Sequence, residues 1–175
     1  MKNIMINKEE NTAVAPLFNY LGDCIRYRLS KELTNEALAI PKLYLDRNDS
    51  NLSKFIKYEK LNNQEVMLLL LAIVPHVLPN LINGIITEFL PNGGDFPEFG
   101  GVKGKNHRGI LPTVETAIYI IAGNDPDTRI ESLYYLQHLN KLIKNKIIYI
   151  GNVPKGEPML SGTIQIDEEY LSLLT

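Results

Sequence analysis

The sequence predicts a mainly α-helical domain containing a winged-helix-like unit, that is, a helix-turn-helix followed by a β-hairpin. Three observations carry this expectation. Apolar residues recur at spacings of three and four through the first half of the chain. Two helix patterns meet at Gly123-Asn124, where a turn is required. Two short runs rich in β-branched residues, 146–150 and 163–167, then read as paired strands.

Each element has its own local reason. Residues 1–11 are polar and read as a flexible tail with no apolar signal core. A helical region over 12–112 follows. Pro16 suits a first helical turn, and Val14, Leu17, Phe18, Leu21, Cys24, Ile25 and Leu29 make one apolar stripe. Thr34 to Leu61 is less regular: Leu43 to Leu45 suits a short strand or a helical turn, and residues 46–50, DRNDS, signal a loop. Asn62 with Glu65 three residues on is a capping-box pair that opens a helix. From Val66 to Val74 that helix is apolar on every face and belongs at the centre of the fold. Pro75 and Pro79 are expected to break or kink it, and Leu78 to Phe89 resumes helical spacing. His76, at the break, is expected to be a hydrogen-bonded structural residue.

Residues 91–112 read PNGGDFPEFGGVKGKNHRGILP, a long glycine-rich loop. Irregular segments of this length in a compact domain are usually functional or mobile. The winged-helix-like unit is expected over 113–175, with its first helix at 113–122, its second at 126–143 and its wing at 151–162. Asp125 and Pro126 form an N-cap and first-position pair, and Ile130, Leu133, Tyr134 and Leu136 are expected to face inward. The closing EEYLSLL has an apolar end suited to packing back or leading onward.

Composition narrows the function classes. A chain of 175 residues that is 45% hydrophobic can build its own core. With 22% charged residues and a net charge of −2, it lacks the basic footprint of a sequence-independent nucleic-acid binder. Cys24 is the only cysteine, so neither an internal disulfide nor a thiolate zinc site is available, and a reducing, cytoplasmic setting is expected. The longest apolar run, Val66 to Val74, falls short of the roughly 20 residues a membrane span needs.

Candidate chemistry concentrates in the glycine-rich loop. Gly104-Lys105 falls short of a phosphate-binding loop, because Phe99 and Asn106 stand where that motif needs Gly and Ser or Thr. His76, His107 and His138 lack metal-ligand spacing. Glu98, His107, Arg108 and Glu115 are candidates for an acid-base cluster, but no nucleophile or oxyanion donor is marked beside them. A small enzyme using the 92–109 loop is therefore an alternative, and so is a DNA-binding winged helix. The favoured assignment makes Phe96, Glu98, Phe99, Lys103, Lys105, His107 and Arg108 residues that organise the loop or touch a partner. Phe96 and Phe99 are expected to pin the loop to the core, and His107 or Arg108 to hydrogen-bond its carbonyls.

The order Pro75-His76, Phe96 to Gly101 (FPEFGG), His107 to Gly109, Leu111 to Thr113, Glu115 to Ala117 and Ala122 to Asp125 (AGND) resembles a known pattern. It is similar to the region before the motor in AAA+ ATPases of contractile phage-tail-like injection systems, over about residues 15–170. Val74 stands where that family's "APH" has alanine. The resemblance implies a non-catalytic, winged-helix-bearing N-terminal domain that serves protein docking, substrate engagement or oligomer organisation. Its implied partners are proteins or its own ATPase module, with homo-oligomers in the full-length protein and no membrane. No cofactor is implied for these residues. ATP and Mg²⁺ are expected only for an ATPase module, whose motifs are absent from the sequence and which would lie beyond Thr175.

Overall fold

The computed structural model describes residues 14–46 and 48–175, so the expected tail at 1–11 lies outside the described residues. The domain is mainly helical with two small antiparallel sheets. Helix α1 (Ala15–Leu33) has Pro16 in its first turn and buries the predicted stripe, Cys24 included. Helix α2 (Asn51–Tyr58) was not expected. Ser50 caps it by accepting from the Ser53 N–H, and Leu52 and Ile56 bury one face.

Helix α3 (Asn63–Val77) is the centre of the molecule. Both halves of the Asn62/Glu65 capping box form, and every residue from Glu65 to Val74 is buried. It packs against α1, and against α5 (Val114–Ala122), α7 (Lys141–Lys144) and strand β4 (Ile164–Ile166). Pro75 does not end this helix. It lies in the last turn, and the break falls at 78–80, where the Leu78 N–H donates to the Val74 carbonyl. A proline so near the C-terminus removes one ladder bond from a helix already held by burial on all sides. His76, contrary to expectation, is exposed, and its side chain forms no hydrogen bond among the described residues.

Helix α4 (Leu81–Phe89) turns back across α1, where Arg26 pairs with Glu88 at 2.7 Å. The axes of α3 and α4 differ by 104°, and no single helix among the described residues is long and apolar enough to cross a membrane. Segment 91–112, expected to be irregular, contains a 3₁₀ turn at Pro97–Phe99. It also contains a hairpin of β1 (Val102–Lys103) and β2 (Ile110–Leu111), in the register Val102 to Leu111 and Lys103 to Ile110.

Thr113 caps α5, which ends at Gly123. Arg28 of α1 is buried against that end. Its guanidinium donates to the carbonyls of Ile120 (3.0 Å) and Ile121 (2.6 Å) and to Glu32 (3.2 Å). A cation at a helix C-terminus complements the dipole and satisfies orphan carbonyls, so α1 and α5 are locked together. Asp125 caps α6 (Pro126–His138), as the sequence indicates.

Two expectations for α6 fail. The helix does not continue to 143: Asn140 interrupts it and caps the separate α7 through the amides of Leu142 and Ile143. Ile130 and Tyr134 do not face inward; they are 68% and 59% exposed, while Ser132 and Leu136 take the buried side. Leu133 and Leu136, expected inward with Ile130 and Tyr134, are half-buried and buried, and α6 packs on α5.

Strand β3 (Ile148–Ile150) pairs antiparallel with β4 in the register Ile148 to Ile166. Helix α8 (Glu168–Leu174), capped by Asp167, packs back on α2, where Tyr170 meets Phe55 edge-on at 6.1 Å. Leu174 is buried there.

Candidate functional site

The glycine-rich segment is held from below by three rings. Phe99 is buried, and its ring lies 6.2 Å from Phe96 and 5.8 Å from Tyr119 of α5; Phe96 meets Tyr119 edge-on at 5.5 Å. Edge-to-face packing at these distances adds to the burial of the rings. The pinning role expected of Phe96 and Phe99 therefore has a physical form. Its third member, Tyr119, escaped the sequence reading, because a tyrosine on an apolar helix face gives no sign of which ring it will meet.

The backbone adds three more ties. The Gly101 N–H donates to Thr113 Oγ1 at 3.0 Å, joining the segment to the cap of α5. Gly100, at φ 70°, passes so close to α5 that an added Cβ would lie 2.7 Å from Glu115 Cβ. At Gly109 an added Cβ would collide with the Pro79 carbonyl, so the hairpin also abuts the α3–α4 break. Only glycine allows both approaches.

The polar residues sort into distinct places. Lys103, Lys105 and Arg108 are exposed on or beside the β1–β2 hairpin, and none of them forms an ion pair among the described residues. Glu98 is exposed on the 3₁₀ turn. His107 is half-buried, and its Nε2 has no hydrogen-bond partner. The expected bonds from His107 or Arg108 to loop carbonyls do not form among the described residues, since rings and backbone hold the segment instead. Nor do Glu98, His107, Arg108 and Glu115 meet as an acid-base set: Glu115 pairs with Arg129 at 2.5 Å. No group of three or more His, Cys, Asp or Glu suited to a metal ion occurs among the described residues.

Between α4 and this segment runs an open groove of about 660 Å³. Ile86, Leu90, Phe99 and Ile110 give it an apolar lining, with Thr87 and Lys103 among its polar members. In the sequence Ile86 shows only helical spacing and Leu90 no signal, because the groove exists only once the segment folds against α4.

Tyr119 also carries a testable feature. Its hydroxyl is buried with no hydrogen-bond partner. Burial, reinforced by the negative charge of Glu32, pushes its pKa from 10.0 up to about 12. The folded state thus holds a proton that the unfolded state releases near pH 10. The corresponding stability is whole below pH 10 and is lost as pH rises through about 12. Tyr119→Phe is expected to raise the unfolding free energy by about 1–2 kcal/mol at neutral pH, by removing an unpaired buried group. It should also flatten the alkaline decline in urea melts. A destabilisation of similar size would mean the hydroxyl is bonded in the native state.

The outer face of α6 is apolar and acidic. Asp127, Ile130, Glu131, Tyr134 and His138 are exposed along it, and the Tyr134 and His138 rings lie 4.7 Å apart. Arg129 points away, held by Glu115 and the Gly123 carbonyl.

No family model, characterised protein or solved structure matches this chain.

Proposed function

We propose that this chain is a non-catalytic docking domain of the kind that precedes the motor of AAA+ ATPases in contractile phage-tail-like injection systems. It serves protein docking, substrate engagement or oligomer organisation. The observation that carries this reading is the glycine-rich segment: pinned by three rings and two close glycine approaches, it presents Lys103, Lys105 and Arg108 beside an open groove. A preorganised surface of this sort binds a partner without first paying to order a loop.

In this reading α5, α6, β3 and β4 are a winged-helix unit. Its support is the element order, together with the residues leading into α5: Thr113 bridges to Thr163, and the Ile164 N–H donates to the Pro112 carbonyl at 2.8 Å. These contacts bring the residues before α5 beside β4. The α6 face favours protein over DNA as the partner. Carboxylates at 127 and 131 would oppose phosphates, and the helix's one arginine is engaged inward.

The test has two arms. The isolated chain incubated with ATP and Mg²⁺ is expected to give no turnover; steady hydrolysis would sink the non-catalytic reading. The coding sequence beyond Thr175 is expected to specify a Walker A motif, and a stop codon at that point would remove the ATPase assignment.

A further inference from the structure

The groove beside the hairpin has a chemistry that selects its occupant. One wall is α4 and its C-cap, through Ile86, Thr87 and Leu90; the other is the segment from Gly100 to Lys103. Strand β1 pairs with β2 on one edge only and belongs to a two-stranded sheet, so its second edge is free among the described residues. A free strand edge beside an apolar helix wall suits an extended chain. The edge offers main-chain hydrogen bonds, and alternate side chains of the incoming strand reach the apolar lining.

Charge narrows the choice further. No carboxylate occurs in the sequence between Glu98 and Glu115, while Lys103, Lys105 and Arg108 lie within it. All three cations are exposed, and none is in an ion pair among the described residues. Among the groove's lining residues Asp95 is the one carboxylate and Lys103 the one cation, while Lys105 and Arg108 stand exposed on the hairpin outside that lining.

We propose that this groove binds an extended peptide segment of a partner protein, laid along β1, with an apolar centre against α4 and carboxylates toward Lys103, Lys105 and Arg108. This deepens the docking reading and rests on it, naming the chemistry of what is docked. A helical ligand fits less well, because its backbone groups are already paired and would leave the β1 edge unused.

The test uses the full 175-residue chain, isotopically labelled, titrated at about 50 mM salt so that screening is weak. The probe is an acetylated, amidated heptapeptide, Glu-Asp-Val-Ile-Val-Asp-Glu; the control carries lysine at its four acidic positions. The acidic peptide is expected to shift the amides of Gly100 to Lys103 and of Thr87, with a Kd below about 1 mM. Thr87→Trp fills the groove from an exposed helix position, and the double variant Lys103→Glu, Lys105→Glu reverses charge on exposed side chains. Each is expected to weaken binding at least about tenfold, with an unchanged circular dichroism spectrum.

Four results would overturn the proposal. They are no shift with 1 mM peptide (about the weakest affinity that titration reads), equal binding of the lysine control, undiminished binding by folded Thr87→Trp, or shifts at these amides on raising protein concentration alone. The last would assign the groove to a second copy of this chain. All four leave the ATP and coding-sequence tests of the docking reading standing, so the two can fail separately.

Discussion

Phe99→Ala is expected to lower the unfolding free energy by about 3–5 kcal/mol, the usual cost of truncating a buried aromatic side chain. Phe99 is 1% exposed and touches both other rings under the glycine-rich segment. Alanine removes the contacts of Phe96 and Tyr119 with it and leaves a cavity under the 3₁₀ turn. The backbone hydrogen bond at Gly101 cannot make up the difference, since one such bond contributes only about 1 kcal/mol net. Urea denaturation followed by circular dichroism measures the loss, and a cost under about 1 kcal/mol would mean the rings do not anchor the segment. Because the groove takes Phe99 as part of its lining, the same variant is expected to weaken binding of the acidic heptapeptide.

Leu69→Ala is expected to cost about 2–5 kcal/mol for a different reason. Leu69 is fully buried in α3, and that helix touches α1, α5, α7 and β4. Its neighbours are pinned on all sides, so the cavity has little room to collapse. Marginal domains hold only about 5–15 kcal/mol in total, and this substitution would remove a large share of it. Here the whole unfolding transition should move to lower denaturant with its slope kept, since the lesion is central and not confined to one segment. A loss under about 1 kcal/mol would deny α3 its central place.

Elements with a local signal were legible in the sequence. The Asn62/Glu65 box marks the start of α3, Asp125-Pro126 marks α6, and the β-branched runs mark β3 and β4. Helix α2 had its signal too, with Ser50 as cap and Leu52, Phe55 and Ile56 at helical spacing. The loop-forming residues DRNDS, which end on that cap, mask it. Pro75 does not break α3: near a C-terminus it costs one bond, and packing outweighs that.

Other features have no local signal at all. Strands of two residues, such as β1 and β2, are too short to alternate, so glycines dominate the pattern there. Nothing local in the sequence marks Arg28 for burial, yet it is buried because the end of α5, more than ninety residues on, offers it two carbonyls. The candidate site divides along the same line. Phe96, Phe99 and the three cations were visible as residue types, whereas Tyr119 and the α4 wall belong to it only through tertiary packing.

Backbone ¹⁵N relaxation across residues 93–111 tests the central claim most directly, namely that the glycine-rich segment is a packed docking platform. The account predicts order parameters near 0.85 around Phe96 to Val102 in the native chain, falling below about 0.6 in Phe99→Ala. Values below about 0.6 in the native chain would contradict it.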